Sequence, residues 1–167
     1  INDIAVSSTR VREALIKGDI RTANLYLGYP FELTGTVIRG DQIGRTIGFP
    51  TANLQVHEPH KLIPAYGIYA VEVYIYNHIQ NITTGEYREE SPVSIAKGMG
   101  YIGTRPTVDG MNRAIEISLF DFDQDIYGKT LRVKFLHFIR HDERFDSLEE
   151  MKAQIKADEV EIRSLIG

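Results

Sequence analysis

Thr51 and Asn53 set a hydroxyl and an amide oxygen two residues apart, and in a strand that spacing projects both from one face. Hard, neutral oxygen donors of this kind suit Mg²⁺, which takes few protein ligands and completes its octahedron with water and nucleotide phosphate. Pro50 fixes its own φ and drives Phe49 toward extended backbone, so the chain leaves a turn at Gly48 and enters the strand at a set angle. Upstream, Gly40, Gly44 and Arg45 have the composition of a glycine-rich, cationic loop that closes over phosphates. The same residues also describe a proline-started strand whose Thr and Asn satisfy turn hydrogen bonds, and local chemistry leaves both readings open. Two further stretches carry charge. Glu116 interrupts an apolar strand pattern with Ile115, Ile117 and Leu119 on the opposite face, and its residue type alone reads as a solvent-facing strand glutamate. The run Arg140-His141-Asp142-Glu143-Arg144-Phe145 reads by composition as a solvated connector.

The elements that must position these residues follow from periodicity. From Phe31 onward the apolar period is two, over residues 31–39, near Thr51, and over 67–76, 93–101, 114–122 and 130–139. Turns bearing Gly, Pro and Asp separate these segments with no helical pattern between them, which predicts a six-stranded antiparallel sheet closed into a barrel. Residues 77–91 are a polar insertion, expected as an exposed hairpin or loop. Two helices precede the sheet. Ser7, Ser8 and Thr9 suit an N-cap, with Val11, Leu15 and Ile16 as the apolar stripe and Gly18 as the stop. Asp19 caps a second helix through Leu27, closed by Gly28 and Pro30. At the other end, Ser147-Leu148-Glu149-Glu150 is a capping box, and Leu148, Met151, Ile155, Ile162 and Leu165 predict a helix packed across the outside or one open end of the barrel.

A chain of 167 residues supports one main core. No apolar run approaches a membrane span and no signal-peptide layout opens the sequence, so a cytoplasmic protein is expected. Without cysteine there are no disulfides, zinc–cysteine sites or thiol nucleophiles. A formal net charge of −4 argues against general nucleic-acid binding, and Tyr69, Tyr74, Tyr76 and Tyr101 read as strand packing residues rather than a base-stacking platform. The five histidines are scattered and do not predict a transition-metal site. Three motif matches fail on context. Gly98, Gly100 and Gly103 match a dinucleotide fingerprint, but Pro106 blocks the helix that must follow. Gly35 and Gly40 have P-loop spacing with Asp41-Gln42 where Lys-Ser/Thr is required. Asp121, Asp123 and Asp125 begin like a calcium loop, yet Ile126 stands at the turn glycine and Arg132 at the bidentate carboxylate.

Several ordered motifs together resemble the riboflavin kinases, in particular the kinase module of the bacterial bifunctional riboflavin kinase/FAD synthetases. They are residues 48–53 (Gly-Phe-Pro-Thr-Ala-Asn), 66–70 (Tyr-Gly-Ile-Tyr-Ala), 103–107 (Gly-Thr-Arg-Pro-Thr), Glu116 with 120–123 (Phe-Asp-Phe-Asp), 125–128 (Asp-Ile-Tyr-Gly) and 144–148 (Arg-Phe-Asp-Ser-Leu). The resemblance implies a riboflavin kinase-like, Greek-key-like barrel with a C-terminal helix over residues 29–167. It makes residues 1–28 the helical end of a preceding FMN adenylyltransferase module, because residues 7–12 look like that module's closing motif. Its His-x-Gly-His hallmark is absent, so FAD synthesis is not expected. The implied reaction moves the γ-phosphoryl group of ATP to riboflavin, giving FMN and ADP, with no nucleic-acid or membrane partner; the rival reading is a barrel that binds flavin, nucleotide or single-stranded nucleic acid without chemistry. By resemblance Thr51 and Asn53 hold Mg²⁺ and phosphate, and Gly40, Gly44, Arg45, Gly48, Phe49 and Pro50 belong to the nucleotide-covering segment. Glu116 becomes the general base, and Arg140 and Phe145 belong to a flap at the flavin. Two departures stand out: Ser118 where family members often carry His, and His141 where a proline is common.

Overall fold

In a computed structural model the described residues are 2–39, 51–77, 91–107 and 110–167. Among these residues three helices, α1 (Asn2–Lys17), α2 (Ile20–Leu27) and α3 (Leu148–Ile166), accompany six strands: β1 (Phe31–Ile38), β2 (Ala52–Val56), β3 (Gly67–Tyr76), β4 (Ser94–Thr107), β5 (Gly110–Leu119) and β6 (Thr130–His141). The strands close into a barrel in the order β1-β2-β5-β4-β3-β6, with antiparallel pairs throughout. β3, β4 and β5 follow one another as neighbours, and β6 returns to lie beside β3, which is a Greek key. β6 also pairs with β1 and closes the ring, so no sheet edge is left open around the barrel.

Alternation along the strands fills the interior. Leu33, Val37, Leu54, Val71, Val73, Ile102, Ile115, Ile117, Leu131, Val133 and Phe135 form one buried cluster, with Tyr69 set edge-on to Phe135 at 5.2 Å between ring centroids. Burying such side chains supplies about 1.5–3 kcal/mol each, which makes this interior the main source of stability. The first half of β3 departs from alternation and is buried on both faces. Its inward residues Tyr69 and Val71 meet the barrel core, and its outward residues Ile68 and Ala70 meet Met99 and Ile162 of α3 in a second cluster.

The helical pair joins the barrel core through Ala14, Leu15, Ile20 and Ala23. Asn24 fastens it to the strands: its amide donates to the Phe135 carbonyl at 2.9 Å, and its oxygen accepts from Phe31 N at 2.7 Å. Asp19 caps α2 by accepting from Thr22 N at 3.1 Å, and Gly28 ends it at φ 81°, a backbone that glycine adopts without Cβ strain.

Several expectations need correction. Helix α1 begins at Asn2, so Ser7, Ser8 and Thr9 lie inside it rather than at its cap, and Ile16 is 59% exposed while Ala14 is buried instead. β4 runs on to Thr107, beyond the Tyr101 end the sequence indicated. Past Ile102 it has lost its β3 neighbour and pairs with β5 alone, so Pro106 sits on a ribbon edge where a missing donor is tolerated. On α3 the covered face is Ile155, Asp158, Ile162 and Ile166, while Leu148 and Leu165 are about half exposed at 50% and 48%. A charged residue completes the buried stripe, and an apolar count alone passes over it. The α3 cap has a shifted form: Ser147 Oγ accepts from Glu150 N at 3.1 Å, while the Glu150 carboxylate accepts from Asp146 N rather than from the cap residue itself.

Candidate active site

β2 enters the barrel just after Thr51 and lies between β1 and β5. Leu54 points inward, so Asn53 points out, and directly opposite it on β5 stands Glu116. Ile115 and Ile117 are buried in the core on either side of Glu116, which fixes the glutamate on the outer face. The next strand continues the row, with Tyr101 opposite Glu116 across the β4–β5 ladder. Asn53, Glu116 and Tyr101 thus form a lateral line across three strands, each half-buried. Thr51, also half-buried, is two residues before Asn53.

The β6–α3 connector reaches this line through Tyr101, whose hydroxyl donates to Asp142 Oδ2 at 3.1 Å. Burial pushes the phenol pKa up, and the Asp142 charge, the hydrogen bond to it and the Glu116 charge push the same way, against a smaller opposing effect of Arg140. Arg140 is anchored elsewhere. Its Nε and Nη2 bind the Asp158 carboxylate at 2.9–3.0 Å, where Asp158 is 1% exposed and also accepts from Gln154 Nε2 at 2.9 Å. The same guanidinium lies over the Phe145 ring at 5.6 Å, so the expected pair Arg140 and Phe145 stand together.

The structure therefore lines up Asn53 and Glu116 with Tyr101 and brings the β6–α3 connector, with Arg140 at the end of β6 beside Phe145, to the same row. Gly40, Gly44, Arg45, Gly48, Phe49 and Pro50 lie outside the described residues. Tyr101, Asp142 and Asp158 were not singled out from the sequence as site residues. Tyr101 read as strand packing and Asp158 was not among the residues named for the helix, and only the folded structure brings their partners to them. Among the described residues no group of three His, Cys, Asp or Glu side chains is placed to hold a metal. The donor set Thr51 and Asn53, neutral oxygens beside one carboxylate, fits a cation that brings phosphate and water ligands of its own. A polar cleft of about 480 Å³ near the far end of α3, lined in part by Lys97, Phe120, Asp123 and Arg163, contains none of these residues.

A closed Greek-key barrel with an oxygen-bearing outer row and a helix across its flank places the chain among mainly-β barrel domains rather than among dinucleotide-binding α/β folds. Residues 27–166 match the family model Flavokinase: Riboflavin kinase, and the chain belongs to the riboflavin kinase family. A bifunctional riboflavin kinase/FMN adenylyltransferase of Escherichia coli K12 is 41% identical over 164 residues, 98% of this chain and 47% of that protein. The chain thus spans about half the length of the curated relatives it matches. A Streptococcus pneumoniae crystal structure described as a macrolide-efflux protein is 38% identical, with TM-score 0.76 over 93% of this chain and 46% of that one. A riboflavin kinase structure from Trypanosoma brucei, 23% identical, shares the fold at TM-score 0.52 over 82% of this chain and 77% of that one. No helix among the described residues is long and apolar enough to cross a membrane.

Proposed function

We propose that the chain is a riboflavin kinase domain that transfers the γ-phosphoryl group of ATP to the ribityl 5′-hydroxyl of riboflavin. The observation that supports this reading is the Asn53–Glu116 pair, an amide directly across one ladder from a carboxylate. Thr51 and Asn53 hold phosphate oxygens and Mg²⁺, which when bound neutralises the charge on the transferring group. Glu116 orients the ribityl hydroxyl and accepts its proton as the new O–P bond forms and the bond from γ-phosphorus to the bridging oxygen breaks, releasing FMN and ADP. A carboxylate base is sufficient because phosphoryl transfer is loose, and most of the acceleration comes from position and charge neutralisation.

The connector borders the flavin, with Arg140 anchored by Asp158 and Phe145 offering an aromatic face. Residues 1–28 are the end of a preceding adenylyltransferase module, since the relatives are bifunctional. The domain works in the cytoplasm on small molecules, without a nucleic-acid or membrane partner.

The test is conversion of riboflavin to FMN with Mg-ATP, followed by chromatography, with Thr51→Ala and a chelator as controls. FMN formed by the parent and lost in both controls is expected. Flavin or nucleotide binding without FMN would overturn the kinase reading in favour of a binding barrel.

A further inference from the structure

We infer that Tyr101 is a positioning residue for phosphoryl transfer, its hydroxyl pinning the β6–α3 connector, through Asp142, against the row that carries Glu116. The inference rests on the kinase reading above and names a part of that site. Tyr101 is the neighbour of Glu116 across the β4–β5 ladder, so the two share the outer face. Its hydroxyl reaches 41 residues along the chain to Asp142, the residue that follows the last residue of β6.

The connector is consequently held at two points. Arg140, near the end of β6 and anchored by buried Asp158, meets it at Glu143 and the Phe145 ring, and Asp142 ties it to the barrel through Tyr101. Space for the second tie is built into the strand. Gly103 lies two residues beyond Tyr101 on the same face, and a Cβ there would collide with the phenol ring and its oxygen. The ring also packs on the cluster of Ile68, Ala70, Met99 and Ile162 beneath α3, which limits its rotation.

Chemically, the phenol is suited to holding rather than to proton transfer. Burial and the two flanking carboxylates favour its neutral form, so it stays a donor throughout the range in which a kinase works. Its hydroxyl donates to Asp142. Without it the connector's carboxylate loses its tie to the barrel. The loss should fall on the substrate bordered by the connector, the flavin, and not on the nucleotide bordered by β2.

Steady-state kinetics of the parent, Tyr101→Phe, Asp142→Ala, Asp142→Asn and the Tyr101→Phe/Asp142→Ala double variant test this, with thermal unfolding as a check on folding. Each of Tyr101→Phe and Asp142→Ala should raise the riboflavin KM by about tenfold, the loss of one hydrogen bond to a charged acceptor, and leave the ATP KM in place. The double variant should be no worse than either single one, because the two act through one contact. Asp142→Asn, whose amide oxygen still accepts, should recover most of the loss. Parent-like riboflavin KM in Tyr101→Phe, multiplying effects in the double variant, or equal changes in both KM values would overturn the inference while the kinase reading stands. A parent that neither forms FMN nor binds riboflavin would overturn the kinase reading itself, and the inference with it.

Discussion

Asn53 stands directly opposite Glu116 across the β2–β5 ladder, close to the point where β2 begins. Side chains paired in this way have Cβ atoms about 4.5–5.5 Å apart, a separation that sets the Asn53 amide and the Glu116 carboxylate side by side on the outer face. Because both strands belong to a closed barrel, the separation is set by backbone hydrogen bonds and not by a mobile loop.

Replacing Glu116 by Gln should therefore lower kcat by about 10²–10⁴ and leave Mg-ADP affinity near the parent value, since the amide keeps the shape and loses only the basic oxygen. Asn53→Ala should do the reverse, raising the ATP KM first. Single-turnover FMN formation alongside nucleotide titration separates the two, and near-parent turnover in Glu116→Gln would remove it from the proton-accepting role.

The barrel was legible because its interior obeys alternation. Gly67–Tyr76 is the strand the period-two pattern indicates, and β1 differs from its expected range only by Arg39. Asp19 and Gly28 likewise bracket α2 as their residue types dictate. What the pattern missed depends on long-range partners. Asp158 lies at the correct spacing for the buried face of α3, but a carboxylate is counted as exposed until Arg140, 18 residues earlier in the chain, is found beside it. Tyr101 likewise looks like any strand tyrosine until register sets Glu116 on one side and the connector brings Asp142 to its hydroxyl. β4 outran its expected end because Gly103 and Pro106 are turn signals locally, whereas pairing with residues 110–115 of β5 keeps the chain extended.

The Arg140–Asp158 pair makes a stability prediction. Asp158 is 1% exposed and Arg140 16%, so removing one partner leaves the other's charge poorly solvated. Asp158→Ala should cost about 3–5 kcal/mol in denaturant unfolding, while exchanging both partners for apolar residues of similar size should cost far less. The same single change should loosen the connector and raise the riboflavin KM. An unfolding midpoint equal to the parent's would show that the ion pair carries no such energy.

Tyr69 and Tyr101 predict alkaline behaviour. Burial raises both phenol pKa values, with Asp142 adding to the effect at Tyr101. The folded protein then holds those protons where the unfolded chain releases them. Their contribution is complete below the ordinary tyrosine pKa near 10 and is lost as pH climbs above it. Denaturant midpoints measured from neutral to alkaline pH should fall above about pH 10. Tyr69→Phe should flatten that fall but lose the hydrogen bond to the Ala65 carbonyl. In an ultraviolet titration each Tyr→Phe variant should lack one late-ionising phenol, and loss of an early one would contradict the assignment.

At the other end of the pH scale the Asp19 cap gives the opposite sign. Its carboxylate accepts from Thr22 N, and hydrogen bonding to the Thr22 side chain first, and to its backbone N–H second, holds its pKa below the usual carboxylate value. The folded state thus favours the ionised form. The stabilisation is present at neutral pH and fades as pH drops through the depressed folded value, where the carboxylate takes up a proton. Asp19→Ala should cost about 1 kcal/mol at neutral pH, and Asp19→Asn much less because an amide oxygen caps nearly as well. The gap between the parent and Asp19→Ala should narrow as pH is lowered below about 4, whereas the gap between Asp19→Asn and Asp19→Ala should hold. Because α2 carries Ile20 and Ala23 into the barrel core and Asn24 to the start of β1 and the middle of β6, a frayed α2 start should register in global unfolding rather than only in local exchange. A pH-independent gap for the parent would mean that the carboxylate's charge contributes nothing to the cap.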